Sequence, residues 1–276
     1  MECIGERALI NNRLVDCRDV EKRHTRADLT VYEIFRVMQG VPVFLEDHLQ
    51  RLFHSLDLEG LYIKEDIADI RERVVRLIDS NTISSGKIRL SVIFNPSGGE
   101  NRYELVLHYV PFDPPDEKQY KQGVHVVLCS AMRKDPNAKV MHSQARRLAD
   151  ERIRQTGAYE ALLVDHEGTI TEGSRSNVFF VQGQRLVTPP DDMVLQGIAR
   201  KNILRICHEQ AIAVEVRKVH CNEISGFEAV FLSGTTPKVL PVRTIEKSSF
   251  SADNDLLEFL RDAYDKWIQV YVHHKP

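Results

Sequence analysis

The chain has 276 residues, with 37 Lys and Arg against 40 Asp and Glu for a net charge of -3, which is long enough for two domains that each bury a core. No basic block is interleaved with aromatics and no apolar run approaches the roughly 20 residues of a membrane span, which excludes nucleic acid and membrane as implied partners. Five scattered cysteines (Cys3, Cys17, Cys129, Cys207, Cys221) without CxxC spacing argue against a disulfide framework and a zinc site, so a soluble, reducing, cytoplasmic setting with small-molecule ligands is expected.

Residues 30–45 are rich in β-branched and aromatic types and break at Gln39-Gly40, which predicts a hairpin. Asp47 is a candidate N-cap for a helix with Leu49, Leu52, Phe53 and Leu56 on its apolar face and His48 and Arg51 on its polar face. Ile67, Ile70, Val74, Leu77 and Ile78 predict a second helix, and 87–94 and 102–110 read as strands around the turn residues 95–99. These elements form an α+β domain over 1–115. Pro111, Pro114 and Pro115 with neighbouring charges mark a break, and 116–122 is read as the linker. A larger domain over 123–276 follows. Its many short strands (123–130, 159–165, 168–172, 177–182, 185–188, 213–219, 228–232, 238–245) predict a barrel-like sheet. Helices are expected near 142–156 and 197–210, and an amphipathic helix closes the chain at 255–272.

Several residues could carry chemistry. Glu172 hangs in the Gly-containing turn Thr171–Asn177, although acidic residues beside glycine are commonly plain turn formers. Lys139 lies between a strand and a helix, where a lysine facing a pocket can act as a nucleophile, though most lysines are surface charges. Gly197 opens a helix whose free amides attract anions, and Gly234-Thr235-Thr236 offers further amides and hydroxyls. Arg51 offers a guanidinium for a phosphate. Lysine, carboxylate and two amide-rich loops suit a pyridoxal phosphate site, where a carboxylate keeps the ring nitrogen protonated.

The order of these anchors resembles the class IV aminotransferases, the fold type IV pyridoxal phosphate enzymes that include D-amino-acid transaminases, branched-chain transaminases and aminodeoxychorismate lyases. The resemblance rests on Val31-Tyr32-Glu33, His48-Leu49-Gln50-Arg51-Leu52, Lys139, Glu172-Gly173 with Ser176-Asn177, Leu195 with Gly197-Ile198 and Arg200, and Gly234-Thr235 with Pro241-Val242, and so covers nearly the whole chain. It implies that Lys139 is the Schiff-base lysine and proton carrier, and that Glu172 is the ring-nitrogen partner. Arg51, Ile198, Ala199, Gly234 and Thr235 would form the phosphate cup, Leu195 would pack on the ring, and Ser176 and Asn177 would belong to the cofactor site. It also implies a small α+β domain, a larger pseudo-barrel domain, a cofactor cleft between them, and a homodimer whose partner subunit completes each site. Three departures stand out. Asp28-Leu29-Thr30 replaces a Gly-Asp-Gly run, Ala199 stands where a threonine usually offers a hydroxyl to the phosphate, and Arg175 replaces a small residue.

For the substrate, Lys87-x-Arg89 occupies the strand position of a Tyr-x-Arg pattern in branched-chain transaminases, and residues 95–102 lack the histidine of an Arg-x-His pair. Arg89 and Arg243 are the candidates for gripping carboxylates, with Tyr32, Lys87 and Thr236 as further substrate residues. The reading is a transaminase that passes the amino group of a D-amino acid, such as D-alanine or D-glutamate, to pyruvate or 2-oxoglutarate. The alternatives are a branched-chain L-amino-acid transaminase, an aminodeoxychorismate lyase, and a catalytically silent relative.

Overall fold

A computed structural model of the chain describes residues 2–21, 29–94, 103–141 and 144–274. The Asp28 end of the entry loop and the turn at 95–99, both singled out in the sequence, lie outside the described residues. Two compact units are present: Met1–Asp113 with Ala138–Met141 and Gln269–Pro276, and Pro114–Asn137 with His142–Ile268.

In the first unit the elements are β1 (Ile4–Ile10), β2 (Arg13–Asp16), the short helix α1 (Arg18–Glu21), β3 (Leu29–Met38), β4 (Val41–Pro42), α2 (Leu45–Leu58), α3 (Ile67–Asp79), β5 (Gly86–Phe94) and β6 (Tyr103–Val110). They build a six-stranded sheet in the order β2-β1-β6-β5-β3-β4. The hairpin between β3 and β4 turns at Gln39-Gly40, where both residues have positive φ (52° and 75°), as a two-residue turn that follows the strand twist requires. Strand alternation puts Val31, Phe35 and Val37 on the face packed against Leu49, Leu52 and Leu56 of α2 and Ile70, Val74 and Leu77 of α3. Removing one of these buried leucines to alanine costs about 2–5 kcal/mol.

Helix α2 starts two residues before the expected Asp47 cap. Phe44 precedes it with φ 54°, has no side-chain capping bond, and stacks edge-on against Tyr271 at 4.7 Å, so packing and not a cap sets this helix start. Helix α3 does follow cap chemistry, with Asp66 and Asp69 forming a reciprocal capping box. The strands β1 and β2 were not anticipated. Their hairpin also joins Cys3 to Cys17 through a disulfide with Cα atoms 5.7 Å apart, against the expectation that the cysteines are unpaired.

The second unit contains α4 (Glu117–Gln122), β7 (Val124–Ser130), α5 (Gln144–Thr156), β8 (Glu160–Val164), β9 (Thr169–Gly173), β10 (Asn177–Gln182), β11 (Arg185–Thr188), α6 (Ile198–Glu209), β12 (Ala213–Val216), β13 (Val219–His220), β14 (Ala229–Gly234), β15 (Lys238–Ile245), β16 (Ser248–Ser249) and most of α7 (Asp255–His273). Residues 116–122, expected as linker, are instead the Asp116-capped helix α4, whose Tyr120 hydroxyl donates to the Pro237 carbonyl at 3.0 Å. The ten-stranded sheet runs β12-β11-β10-β14-β15-β7-β8-β9-β13, with β16 on β15. Val178, Phe180, Val230, Leu232, Leu240 and Val242 fill its core. No helix among the described residues is long and apolar enough to cross a membrane.

Candidate active site

Lys139 belongs to the first unit, although the sequence assigns it to the larger domain. The reason is backbone pairing. Tyr32 N donates to Lys139 O at 3.1 Å, Met141 N donates to Thr30 O at 2.9 Å, and Val31 and Val140 form an antiparallel bridge, so residues 139–141 extend the sheet beside β3. Lys139 N also donates to Ser55 Oγ of α2 at 3.1 Å. The lysine Nζ then stands 5.0 Å from the centroid of the Tyr32 ring, and Arg89 Cζ stands 4.4 Å from the same centroid. Two cationic heads thus approach one aromatic ring, an attraction that strengthens as water is excluded. Arg89 is buried, donates from Nε to Ser91 Oγ at 2.9 Å, and touches Met141 Sδ. Lys87 lies two positions before Arg89 on the same strand face, half-exposed, and its register partner is Arg36.

The opposite face of β3 carries a fully buried carboxylate, Glu33. Arg51 grips it with Nε to Oε1 at 2.8 Å and Nη2 to Oε2 at 2.7 Å, and His48 Nδ1 lies 2.8 Å from Oε2. His48 and Arg51 therefore do not sit on a solvent face of α2 as expected; both are buried against Glu33. Burial alone pushes the Glu33 carboxyl up, but the Arg51 guanidinium and the His48 ring together hold it down at about 2. Burial pushes His48 down, and nearby Arg51 and Lys139 add to that against the pull of Glu33. The His48 ring lies against Glu33 through Nδ1, which fixes one edge of the Arg51 fork and orients the remainder.

In the second unit Glu172, one residue before the end of β9, is buried. Arg133 Nε pairs with its Oε1 at 2.8 Å, while Leu195 N at 3.1 Å and Asn177 Nδ2 at 3.5 Å donate to Oε2. All three neighbours donate, which sets the group up as an acceptor. Asn177 Nδ2 also donates to Leu195 O at 2.8 Å. Gly197 caps α6 without any side-chain bond, leaving the amides of Ile198 and Ala199 at a helix N-terminus that favours anions. A Cβ on Gly197 would fall 2.0 Å from Asn177 Oδ1, so any larger residue there would displace the Asn177 side chain. The turn Gly234-Thr235-Thr236 follows Ser233, the register partner of Asn177, and is half-exposed.

Other expected residues have partners or exposure of their own. Ser176 donates to the buried Glu160 at 3.3 Å, beside Ser174 at 2.6 Å, so a carboxylate of β8 holds it. Arg175 is 54% exposed and pairs with Asp150 of α5 at 2.6 Å. Arg243 is exposed and stands five residues beyond Lys238, the partner of Gly234, roughly 16 Å along β15 from the turn it was expected to adjoin. Arg133 and Glu160 escaped the sequence reading, because nothing local ties a loop arginine to a carboxylate 39 positions away. Glu33 carried a signal: it occupies a core phase of an alternating strand, where a carboxylate demands cationic partners.

In the second unit a buried acceptor carboxylate and an uncapped helix start, and in the first a lysine pinned by backbone pairing, are each of the type that a phosphorylated pyridine aldehyde needs. The profile of the family described as amino-transferase class IV matches residues 30–245. The chain is 27% identical over 252 residues to a D-alanine aminotransferase of Bacillus licheniformis, covering 87% of this chain and 88% of that protein. It is 26% identical over 241 residues to a branched-chain-amino-acid aminotransferase of Pseudomonas aeruginosa, covering 82% and 78%. Its fold is similar to that of the branched-chain aminotransferase of Escherichia coli, with a TM-score of 0.87 at 22% identity over 96% of this chain and 95% of the other. It is also similar in fold to a putative 4-amino-4-deoxychorismate lyase of Legionella pneumophila, with a TM-score of 0.77 at 19% identity over 86% and 90%. With more than half of its length matched by the family profile, the chain belongs to the class IV aminotransferases.

Proposed function

We propose that this class IV aminotransferase moves the amino group of a D-amino acid, such as D-alanine or D-glutamate, to pyruvate or 2-oxoglutarate. The observation that carries the reading is the shared Tyr32 ring: Lys139 Nζ and Arg89 Cζ lie 5.0 and 4.4 Å from its centroid, so a substrate carboxylate can be gripped beside the amine that handles its α-proton. Pyridoxal phosphate is the cofactor, and when bound it supplies electron withdrawal through its ring. Lys139 would hold it through Nζ, and the same amine, when free, would be the base that takes the proton from the substrate Cα. Glu172 accepts from the ring nitrogen, with Arg133 and Leu195 N keeping it in place. Arg51, the amides of Ile198 and Ala199, Gly234 and Thr235 bind the phosphate. Ala199 brings its amide alone, a loss of about 1.5–3 kcal/mol relative to a site with one more charge-assisted hydrogen bond. Leu195 packs on the ring, and Tyr32, Lys87, Arg89 and Thr236 line the substrate.

Homodimerisation, with the partner subunit completing the site, and a cytoplasmic setting belong to the same proposal. Branched-chain L-transamination is the second reading, favoured by Arg89 on β5 and by the P. aeruginosa relative. Mixing the cofactor-loaded protein separately with D-alanine, D-glutamate, L-leucine and L-glutamate separates the two. Loss of the visible band with the D-amino acids is expected, and loss with only the L-amino acids overturns the D-specific reading.

A further inference from the structure

Asn177 touches three parts of the second unit at once. Its Nδ2 donates to Leu195 O at 2.8 Å and reaches Glu172 Oε2 at 3.5 Å, while Leu195 N donates to that same oxygen at 3.1 Å. The strong link is the one to Leu195, so the amide acts on Glu172 mainly by holding the Leu195 peptide at its other end. Two residues further on, Asn177 Oδ1 fills the space where a Cβ on Gly197 would stand, 2.0 Å away. Gly197 is the N-cap of α6, and no side chain caps it. Asn177 is also 95% buried on β10, where its register with Ser233 of β14 fixes it from the sheet side.

We infer that Asn177 is a positioning residue that locks the ring-nitrogen carboxylate Glu172 to the start of the phosphate-side helix α6, and not a ligand of the cofactor. The inference rests on the reading that Glu172 and α6 serve the two ends of one cofactor. The side-chain amide ties residues 195–197 to β9 and β10, so the spacing between the acceptor oxygen and the helix amides is set before any ligand arrives. Such preorganisation lowers the cost of binding, and loosening it weakens affinity without deleting a contact.

The lock can be broken from either side. Asn177→Ala removes the bolt, and Gly197→Ala forces a methyl group into the space that Asn177 Oδ1 occupies. Each is expected to weaken pyridoxal phosphate binding to the cofactor-free protein by roughly tenfold, about 1.4 kcal/mol, and to displace the pH midpoint of the visible band of the loaded protein. In the double variant the methyl group enters the space left by the asparagine, so its affinity should be no worse than that of the weaker single variant. A roughly hundredfold loss, the product of the two, overturns the lock, because independent sites multiply their effects. A band midpoint that matches wild type in both single variants also overturns it, since a purely structural role changes stability and leaves that midpoint alone. Should Asn177→Ala fail to fold, Gly197→Ala decides by itself, with wild-type affinity and midpoint contradicting the proposal. If the wild-type protein develops no visible band with pyridoxal phosphate, the cofactor reading fails, and that outcome is distinct from failure of the lock.

Discussion

The two units handle a buried carboxylate in opposite ways. Glu33 in the first is held by a bidentate Arg51 guanidinium and the ring of His48, all within a sheet-on-helix core. Glu172 in the second has one guanidinium, from Arg133, and otherwise rests on the Leu195 backbone amide and the Asn177 side-chain amide. The difference lies in what holds each carboxylate: a guanidinium fork inside a core ties Glu33 to the fold, whereas Glu172 is shared by a guanidinium, a backbone amide and a side-chain amide, an arrangement that the proposed function uses for the ring nitrogen.

This contrast can be broken most severely at Glu33. Glu33→Ala leaves Arg51 and His48 buried without their anion and is expected to cost about 3–5 kcal/mol, read as the shift in urea midpoint. The same pair sets an acid limit. Because the folded Glu33 carboxyl is held at about 2 against an ordinary 4.5, its stabilisation is complete above 4.5 and is lost as pH falls from 4.5 towards 2. A Glu33→Gln variant should lose that slope, and an unchanged acid transition would count against the pairing. Next in size, Arg133→Ala should weaken pyridoxal phosphate affinity roughly tenfold or more while costing less stability than Glu33→Ala, measured by titrating the cofactor-free variant. If it destabilises as much as Glu33→Ala, the two carboxylates are alike. A smaller effect is expected at Arg89, where replacement by alanine should raise KM for D-glutamate more than for D-alanine. Arg243→Ala, exposed and remote from the Gly234 turn, should change KM about twofold at most, and a larger change would restore it to the substrate site.

Much of the fold was legible because period and turn chemistry agreed with packing. Leu49, Leu52 and Leu56 mark α2, Ile70, Val74 and Leu77 mark α3, and Gln39-Gly40 turns the hairpin. The misses have physical reasons. The start of α2 is set by Phe44 packing on Tyr271, a contact 227 positions apart that no local pattern encodes. Residues 116–122 look like linker because their polarity and the prolines just before them hide a short capped helix. Lys139 and Glu172 could be singled out by type and order, while their support could not. His48 falls on the apolar stripe with Leu45, Leu49, Leu52 and Leu56, and this stripe position together with Glu33 at a core phase of β3 could have revealed the buried pairing. Arg133 left no such trace, since the loop after β7 reaches Glu172 only through tertiary structure.

The central claim is that Lys139, pinned by backbone pairing to β3 and standing over Tyr32, is the residue that carries the cofactor. Borohydride reduction of the protein loaded with pyridoxal phosphate, followed by peptide mass mapping, tests it most directly. The expected result is one phosphopyridoxyl group per chain on the peptide containing Lys139, absent from Lys139→Ala. A label on another lysine, or full labelling of Lys139→Ala, would contradict the account.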